Sequence, residues 1–417
     1  MAFAEERSDK GGDEDGVRGS GYHGPAIPRN APADDRSSSL TASIDSVTWM
    51  ELFYDLVMVA AIIVFSHAVS VHPNWSTALR AAALFSVLWW VWLTTTLLVN
   101  ADPSDDAARR GLIFVQMTII VVLTIVGSHT EVVRGTALAP LIGASLLVVA
   151  ALHEVARRTR PALASYARRR RDAFATSGAI VASTAWLPTR WAAVAWALAA
   201  VLMTMPVLTD RFNRGVDLPT RNLKHLTERI AALTTIVLGE AFIRVALTGA
   251  GRHLYEINFL ILCLEFVVVF SVWIAYFDGI ARLGLPFTRR AQRWWLVSHL
   301  PLHLGIVGTA VGLGAIVTLR ASAQLTDVDI WVLTAPLALS FVAIGTIGLV
   351  APRVPRGALF AARLGAAALL VVVAEVTWWS AAVTLQEGVA GFGLVTVAYV
   401  VVARHLLRRT TPAPVTS

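Results

Sequence analysis

Long apolar runs, separated by short polar connections, recur along most of this chain. Because a helix needs about 20 residues to cross the hydrocarbon core of a bilayer, each run of that length predicts one membrane-spanning helix. The predicted spans lie at about residues 47–69, 80–99, 111–128, 136–154, 173–188, 191–209, 226–248, 257–277, 296–317, 330–350, 359–382 and 389–404. The pattern predicts an all-α fold, a polytopic transmembrane helical bundle of about 12 spans. The fifth run is short and ends at Pro188, so the apolar pattern alone allows 11 or 12 spans.

The distribution of basic residues predicts how the chain is oriented in the membrane. With the N-terminus inside, 27 of the 35 Lys and Arg residues lie in inner segments, five in outer segments and three within spans. An excess of basic residues in cytoplasmic loops is the usual pattern in membrane proteins. It predicts a multi-pass protein of the plasma membrane with both termini in the cytoplasm. It also favours 12 spans, because omitting the fifth would invert every later loop.

Composition agrees with a membrane protein and excludes several other classes. The chain of 417 residues is 56% hydrophobic and 15% charged, whereas soluble domains carry roughly 25% charged residues. Its net charge of +7 comes from short clusters between apolar runs. We therefore expect the lipid bilayer as its partner and no nucleic acid. The single cysteine, Cys263, excludes a disulfide framework and a thiolate metal site.

The chain divides into two polar tails and two groups of spans. Residues 1–45 lack an apolar run and are predicted to form a disordered cytoplasmic tail without a signal peptide. Spans 1–6 occupy residues 46–210, spans 7–12 occupy residues 211–409, and residues 410–417 form the C-terminal tail. Spans one and seven both begin with an acidic cluster, and spans two and eight both end with aromatic residues before a polar one. These similarities predict two parallel six-span halves.

Ionisable residues inside the spans are the candidates for function, because a charge in the bilayer costs roughly 2.5–3.5 kcal/mol on insertion scales. The candidates for a substrate or proton site are Glu51, Asp55, His225, Glu228, Arg229, Glu240, His299 and His303. Spans one, seven and nine all run from inside to outside. Six of these residues, Glu51, Asp55, Glu228, Arg229, His299 and His303, would therefore lie at similar depth in the cytoplasmic half and form one polar cluster.

Arg229 is expected to pair with Glu51 or Asp55, since Glu228 points about 100° away around the helix. The alternative is that Arg229 extends to the cytoplasmic headgroups. Glu240 and Arg244 are spaced as an i, i+4 pair, which is either part of the site or a snorkelling anchor. Gly239, beside Glu240, is expected to allow close approach of a neighbouring helix.

The two histidines of span nine are also four residues apart and share a helix face. His299 and His303 at this spacing could bind a metal or relay protons, or each could be a structural residue with satisfied hydrogen bonds. Secondary candidates are Asn100, Glu265, Asp278 and Glu375. Glu265 and Glu375 either continue a polar path or are solitary protonated acids.

Signatures of soluble enzymes do not occur in the sequence. It has no Walker-type loop, Rossmann glycine fingerprint, HExxH or GxSxG element. No cytoplasmic loop is long enough for a nucleotide-binding domain, which excludes ATP-driven transport by this chain alone. The sequence indicates no cofactor, substrate or oligomeric state.

Several of these elements together resemble the low temperature requirement A (LtrA) family of bacterial membrane proteins. The resemblance rests on the segments 51–57, 225–240, 273–278 and 299–303 and on the region from Trp89-Trp90 to Asn100 and Asp105. It covers essentially residues 46–408. The resemblance implies a multi-span protein of the inner membrane, linked by its name to growth in the cold. It implies no biochemical activity.

Three functions are compatible with the sequence. The first is a secondary transporter or permease with a carboxylate–Arg–His site in the inner leaflet half. The second is an intramembrane enzyme acting on a lipid or isoprenoid, in which Asp55, Glu228 or the histidines act as acid or base. The third is a non-catalytic membrane-organising protein whose polar residues hold helices together.

Overall fold

A computed structural model describes the chain in segments. The described residues are 49–71, 74–102, 106–128, 137–209, 223–250, 253, 258–281, 286, 288–316, 327–351, 356–380 and 383–408. All regular secondary structure within these segments is helical. The predictions for the tails at residues 1–45 and 410–417 lie outside the described residues.

Thirteen α-helices occupy the described segments. In chain order, α1–α13 are Trp49–Val71, Trp75–Ala101, Ala107–Ser128, Leu138–Thr159, Ala164–Ser183, Thr189–Leu208, Leu223–Ala250, Phe259–Phe277, Arg289–Val297, His299–Ile316, Asp327–Val350, Arg356–Trp379 and Leu385–Arg408. Short 3-10 turns at Pro161–Leu163 and Thr184–Trp186 flank α5. Helices α9 and α10 are separated only by Ser298 and together form the ninth predicted span.

Each of the 12 predicted spans therefore corresponds to helix. Ten segments among the described residues are long and apolar enough to cross a membrane. Helices α5 and α7 are not among these ten segments. The run Arg168–Arg171 interrupts the apolar character of α5. The prediction of a polytopic helical bundle is confirmed, while crossing by α5 and α7 stays a prediction.

The fifth helix differs from its prediction in where it begins. It starts at Ala164 and not near residue 173, so the arginine run lies inside the helix. Arg170 is buried, with its guanidinium carbon 4.4 Å from the centre of the Tyr166 ring, and its Nη2 donates to the Pro206 carbonyl over 3.1 Å. Stacking on an aromatic ring keeps this cation inside the bundle, where an apolar-run criterion does not expect one.

Local sequence signals explain where several helices begin. Asn74 and Asn258 cap α2 and α8, each side chain accepting a hydrogen bond from the backbone N–H three residues on. Thr288 does the same for α9. Before α13, the Thr384 backbone N–H donates to Glu387 and the Glu387 N–H donates to the Thr384 hydroxyl, a capping box. These bonds satisfy N–H groups that have no partner inside a helix.

Small residues set the closest helix contacts. A Cβ added to Gly143 of α4 would lie 2.7 Å from the Gly178 carbonyl oxygen of α5, so the two backbones touch there. Such contacts hold helices together in lipid, where apolar side chains gain little by leaving the hydrocarbon.

The order in which helices pack is similar in the first six helices and in the rest, except that α8 also packs on α13 and the corresponding pair α2–α6 makes no contact of that extent. Helix α1 packs on α2 and α3, α2 on α4, and then α3–α4, α4–α5 and α5–α6 pack as successive neighbours. Likewise α7 packs on α8 and α10, α8 on α11, and α10–α11, α11–α12 and α12–α13 pack successively. Helices α1, α2, α7 and α10 meet where the two groups join, and the predicted site residues lie there.

Candidate functional site

A buried ion-pair cluster joins α1, α2 and α7; we call it the Asp55 cluster and define it as Glu51, Asp55, Trp92, His225 and Arg229. Asp55 Oδ1 accepts hydrogen bonds from Arg229 Nη2 over 2.8 Å and from Trp92 Nε1 over 2.7 Å. Glu51 lies between the two α7 side chains, 3.5 Å from Arg229 Nη1 and 3.4 Å from His225 Nε2. The predicted pairing of Arg229 with span one is confirmed.

Burial makes this cluster energetically consequential. Asp55 is fully buried and Arg229 is 1% exposed, so headgroup snorkelling does not describe Arg229. Each charge alone would be strongly disfavoured there, and the pair persists because each offsets the desolvation of the other. Asp55 Oδ2 has no hydrogen-bond partner among the described residues. The cluster thus has a carboxylate oxygen available to a proton or to a ligand donor.

A second buried cluster lies further along the same two helices; we call it the Glu240 cluster and define it as Ser66, Glu240 and Arg244. Glu240 Oε1 accepts from Ser66 Oγ over 2.5 Å and from Arg244 Nη2 over 2.7 Å. Arg244 Nη2 also contacts Ser66 Oγ and the Ile63 carbonyl oxygen. The predicted i, i+4 pair is confirmed. Its arginine is buried against α1 and is not a snorkelling anchor.

Three of the contacts between α1 and α7 share one sequence separation. Asp55 and Arg229 are 174 positions apart, and so are Ser66 and Glu240. Glu51 and His225 have the same separation. Contacts at constant separation mean that the two helices run in the same direction and in fixed register. The two clusters are therefore about 16 Å apart along one helix pair, since a helix rises 1.5 Å per residue.

The two histidines of α10 lie in the same core but bond to different partners. His303 Nδ1 accepts from Trp89 Nε1–H over 2.9 Å, which leaves its Nε2 as the donor to Thr234 Oγ1 at 2.9 Å in the neutral ring. The Thr234 hydroxyl in turn donates to the Ile230 carbonyl oxygen. His303 therefore links α2, α7 and α10 between the two clusters.

His299 is held in the same manner by its neighbours. Its Nδ1 lies 2.7 Å from the Trp295 carbonyl oxygen and must donate to it, so Nε2 accepts from the Tyr276 hydroxyl at 3.0 Å. Both ring nitrogens of each histidine are thus engaged by protein. Within the described residues no group of three or more His, Cys, Asp or Glu side chains is arranged to hold a metal. The geometry favours the structural interpretation of this pair over metal binding.

Two predictions about α7 are wrong. Glu228 is absent from the Asp55 cluster, because its side chain is 43% exposed and lies 3.8 Å from Lys224 on the outer face of the helix. Its position next to Arg229 in the chain turns it away from the core. Gly239 does not mediate a close helix contact either, since a Cβ added there would meet no atom within 4 Å.

The four secondary candidates do not join either cluster. Asp278 follows α8 and pairs with Arg404 over 3.0 Å. Asn100 and Glu265 are buried, and their side-chain polar atoms have no hydrogen-bond partner in the described segments. Glu375 is partly exposed on α12. Neither Glu265 nor Glu375 contacts the clusters directly, so these two residues do not extend them into a continuous polar path.

Sequence reasoning missed the neutral partners that complete the site. Trp92 bonds Asp55, Ser66 bonds Glu240, and Thr234 bonds His303. One signal was present for Ser66, which lies 11 residues, about three helical turns, after Asp55 and thus on nearly the same face. Thr234 and Trp92 are ordinary residues of apolar helices, and only the packing of α2, α7 and α10 singles them out.

Each of the two clusters holds α1 against α7 and carries groups that are chemically able to bind a proton or a polar ligand. Each contains an arginine, a carboxylate with one oxygen lacking a hydrogen-bond partner among the described residues, and a neutral donor. Breaking either pair leaves a buried charged side chain without its partner.

Comparison with known proteins agrees with the resemblance drawn from the motifs. The uncharacterized protein RA0937 of Rhizobium meliloti (strain 1021) is 28% identical over 295 residues, which cover 63% of this chain and 67% of that protein. No solved structure matches the chain. The family described as bacterial low temperature requirement A protein matches residues 46–403, which include both clusters and the histidine pair. This multi-pass membrane protein belongs to the LtrA family.

Proposed function

We propose that this protein is a secondary transporter in which the Asp55 cluster closes the cytoplasmic side of the α1–α7 seam and the Glu240 cluster closes the outer side. The observation that carries the proposal is the presence of two buried ion pairs, about 16 Å apart, on one pair of parallel helices. A transporter needs two closures that open in turn. A single static binding site needs only one.

The arrangement of the helices supports this reading. The first six helices and the later ones pack in a similar order, apart from the additional contact of α8 with α13, which is compatible with two repeated halves. Repeats that meet around a central site are common in secondary transporters. Parallel α1 and α7 also require an even number of crossings between their starting points, and α1–α6 supply six if α5 crosses. This favours 12 crossings with both termini in the cytoplasm.

The energetics indicate how the closures would be controlled. Breaking a buried pair by removing one partner costs roughly 3–5 kcal/mol, so an opening needs a compensating interaction. A proton on the Asp55 carboxylate would weaken its hold on Arg229, and Arg229 could then bind an anionic group of the substrate. The same exchange is available at Glu240 and Arg244. Coupling to protons fits a chain in which no nucleotide-binding motif occurs.

One observation favours the second candidate function, an enzyme acting on a lipid. A cavity of about 430 Å³ lies between α1, α2, α10 and α11, and apolar side chains make up most of its lining. That volume lies within the usual range for ligand sites. Ser66 of the Glu240 cluster is one of the lining residues, so a lipid chain in the cavity would end near a carboxylate.

Side-specific labelling of a cysteine between the clusters tests the transporter. Thr234→Cys is introduced after Cys263, the single native cysteine, is replaced by serine, since Thr234 is fully buried between Arg229 and Glu240. A membrane-impermeant maleimide is added to spheroplasts or to inside-out vesicles. We expect Asp55→Asn to increase labelling from the cytoplasmic side and Glu240→Gln to increase labelling from the outside.

Thr235→Cys is the matched control. Thr235 follows Thr234 on α7 but is exposed on the side of the helix that faces away from the bundle core, so its labelling should respond to neither mutation. Labelling from one side only, whichever cluster is broken, would contradict two closures and favour the enzyme. No change in labelling with either mutation, in folded protein, would favour the membrane-organising role.

A further inference from the structure

A buried arginine far from both clusters has no acidic partner within the part of the chain that the structure describes. Arg363 lies about two turns into α12 and is 1% exposed. Its Nε donates to the Tyr399 hydroxyl of α13 over 3.0 Å. Among the described residues no carboxylate lies within ion-pair distance of Arg363. No described residue accepts a hydrogen bond from either of its Nη atoms. Guanidinium groups are always charged in proteins, so Arg363 has no directly paired counter-charge among the described side chains.

Two glycines shape the backbone around this guanidinium. A Cβ added to Gly348 of α11 would overlap Arg363 Nη1, and one added to Gly279, just after α8, would lie 3.0 Å from Nη2. The side chain therefore occupies a slot that any larger residue at Gly348 would invade. Tyr399 and this slot fix the direction in which the Nη atoms point.

The slot ends at a small cavity. Arg363, Asp278, Gly279, Tyr399 and Arg404 are among its lining residues, and its volume of about 10 Å³ is close to what one water molecule needs. One oxygen atom of a larger anion fits this space, with the rest of the anion outside. Arg404 lies at the exposed edge of the cavity, and its side chain is 51% exposed.

The charges around the cavity favour an anion. Asp278 pairs with Arg404 over 3.0 Å, so the described lining of the cavity holds two arginines and one carboxylate and is net positive. The end of α8, the start of α12 and the end of α13 all lie at the predicted cytoplasmic face. Basic pockets between helices at that face are suited to phosphate-bearing lipid headgroups.

We propose that Arg363 and Arg404 bind a phosphate group, with one phosphate oxygen in the cavity on the Nη atoms of Arg363. Phosphate carries several oxygens, so one can reach Arg363 while another contacts the exposed Arg404. Charge-assisted bonds from guanidinium groups are the strong class of hydrogen bond. The phosphate belongs either to an anionic phospholipid of the inner leaflet or to a free phosphate ion.

Melting temperature of the full chain in detergent measures this binding. The probes are phosphatidylglycerol, phosphatidylcholine as the zwitterionic control, and inorganic phosphate against chloride at equal ionic strength. We expect phosphatidylglycerol to raise the melting temperature more than phosphatidylcholine. Arg363→Gln should raise the lipid concentration needed for the same increase in melting temperature about tenfold, the usual loss for one charged hydrogen bond. Arg408→Gln, an exposed arginine at the end of α13, should respond as wild type does.

A second variant covers the case in which Arg363→Gln does not fold. Gly348→Ala keeps the charge but pushes Nη1 out of the slot, whereas Gly365→Ala, on α12 with no atom within 4 Å of the added Cβ, is its control. Loss of the response in Gly348→Ala alone supports the site. A response to inorganic phosphate alone identifies the free ion as ligand. Equal responses in wild type, Arg363→Gln and Gly348→Ala would overturn the proposal. It would also be overturned if phosphatidylglycerol stabilised no more than phosphatidylcholine and phosphate no more than chloride.

Discussion

Arg229 of α7 donates to Asp55 of α1 across 2.8 Å, and both side chains are almost completely buried. The two helices come from different groups of six spans, so this bond ties the groups together in the interior. Trp92 donates to the same Asp55 oxygen from α2. The carboxylate is thereby held by two donors from two different helices.

Removing the arginine should destabilise the protein more than removing both partners. Arg229→Ala leaves Asp55 and Glu51 buried without their cation, which we expect to cost roughly 3–5 kcal/mol of folding free energy. Arg229→Ala combined with Asp55→Asn should melt at a higher temperature than Arg229→Ala alone, although function need not return. Melting temperature and detergent-solubilised yield are measured for all four proteins.

The control for this cycle is the exposed pair on the same helix. Lys224→Ala breaks a contact of 3.8 Å with Glu228 at the surface and should change stability by at most about 1 kcal/mol. Strictly additive losses for Arg229→Ala and Asp55→Asn would mean that the two side chains do not interact.

Ser66 and Glu240 should be coupled in stability. Their 2.5 Å bond joins α1 to α7 in a buried site, and hydrogen bonds to charged groups contribute about 1.5–3 kcal/mol. A double-mutant cycle of Ser66→Ala and Glu240→Gln should therefore show a coupling of that order in the free energy of unfolding. Ser70→Ala is the matched control, because that hydroxyl donates to its own helix at the Ser66 carbonyl. A coupling near zero would contradict the contact.

His303 should be needed chiefly because Trp89 needs an acceptor. His303→Leu leaves the buried indole N–H of Trp89 without a partner, at a cost of about 1–3 kcal/mol. Trp89→Phe in the same background removes that unpaired donor and should recover part of the melting temperature. His67→Leu, on the exposed face of α1, should have little effect. If Trp89→Phe brings no recovery, the role of His303 lies elsewhere.

Reporter fusions test the orientation. Fusions after Arg110, Arg171, Arg214 and Arg293 should report the cytoplasm, and fusions near His72, His129 and Arg252 the outside, as the distribution of basic residues predicts. A fusion at Leu187, between α5 and α6, should report the outside and so test whether α5 crosses. A cytoplasmic report at Leu187 would mean that α5 does not cross and would reduce the count from 12 crossings to 11. An external report at Arg171 would contradict the whole orientation.

The sequence predicted the helices and the charged residues of the site better than the connections between them. Twelve helical segments follow from apolar length, and Asp55 and Arg229 stand out because a charge in a span needs a partner. Glu228 has the same sequence signal as its neighbour Arg229, yet it faces outward, since one residue turns a helix by about 100°. Sequence alone could not decide between them without knowing which face of α7 meets α1.

The neutral partners were beyond sequence reasoning for a related reason. Trp92 and Thr234 carry no charge and sit in helices rich in similar residues, so their roles depend on packing between distant segments. Arg170 shows the same limit from the other side. The distribution of basic residues places its arginine run in a cytoplasmic segment, but ring stacking on Tyr166 places this one side chain inside the bundle.

The fixed register of α1 and α7 also restricts how their lengths can change. Asp55 and Ser66 are 11 positions apart, as are Arg229 and Glu240, which places each pair on one helix face after about three turns. One residue inserted between Asp55 and Ser66 would rotate everything beyond it by about 100° and shift it by about 1.5 Å. Ser66 would then leave Glu240 although no residue of α7 had changed. An insertion or deletion within this interval is therefore tolerable only when both helices change together, whereas the loops outside it can vary in length independently.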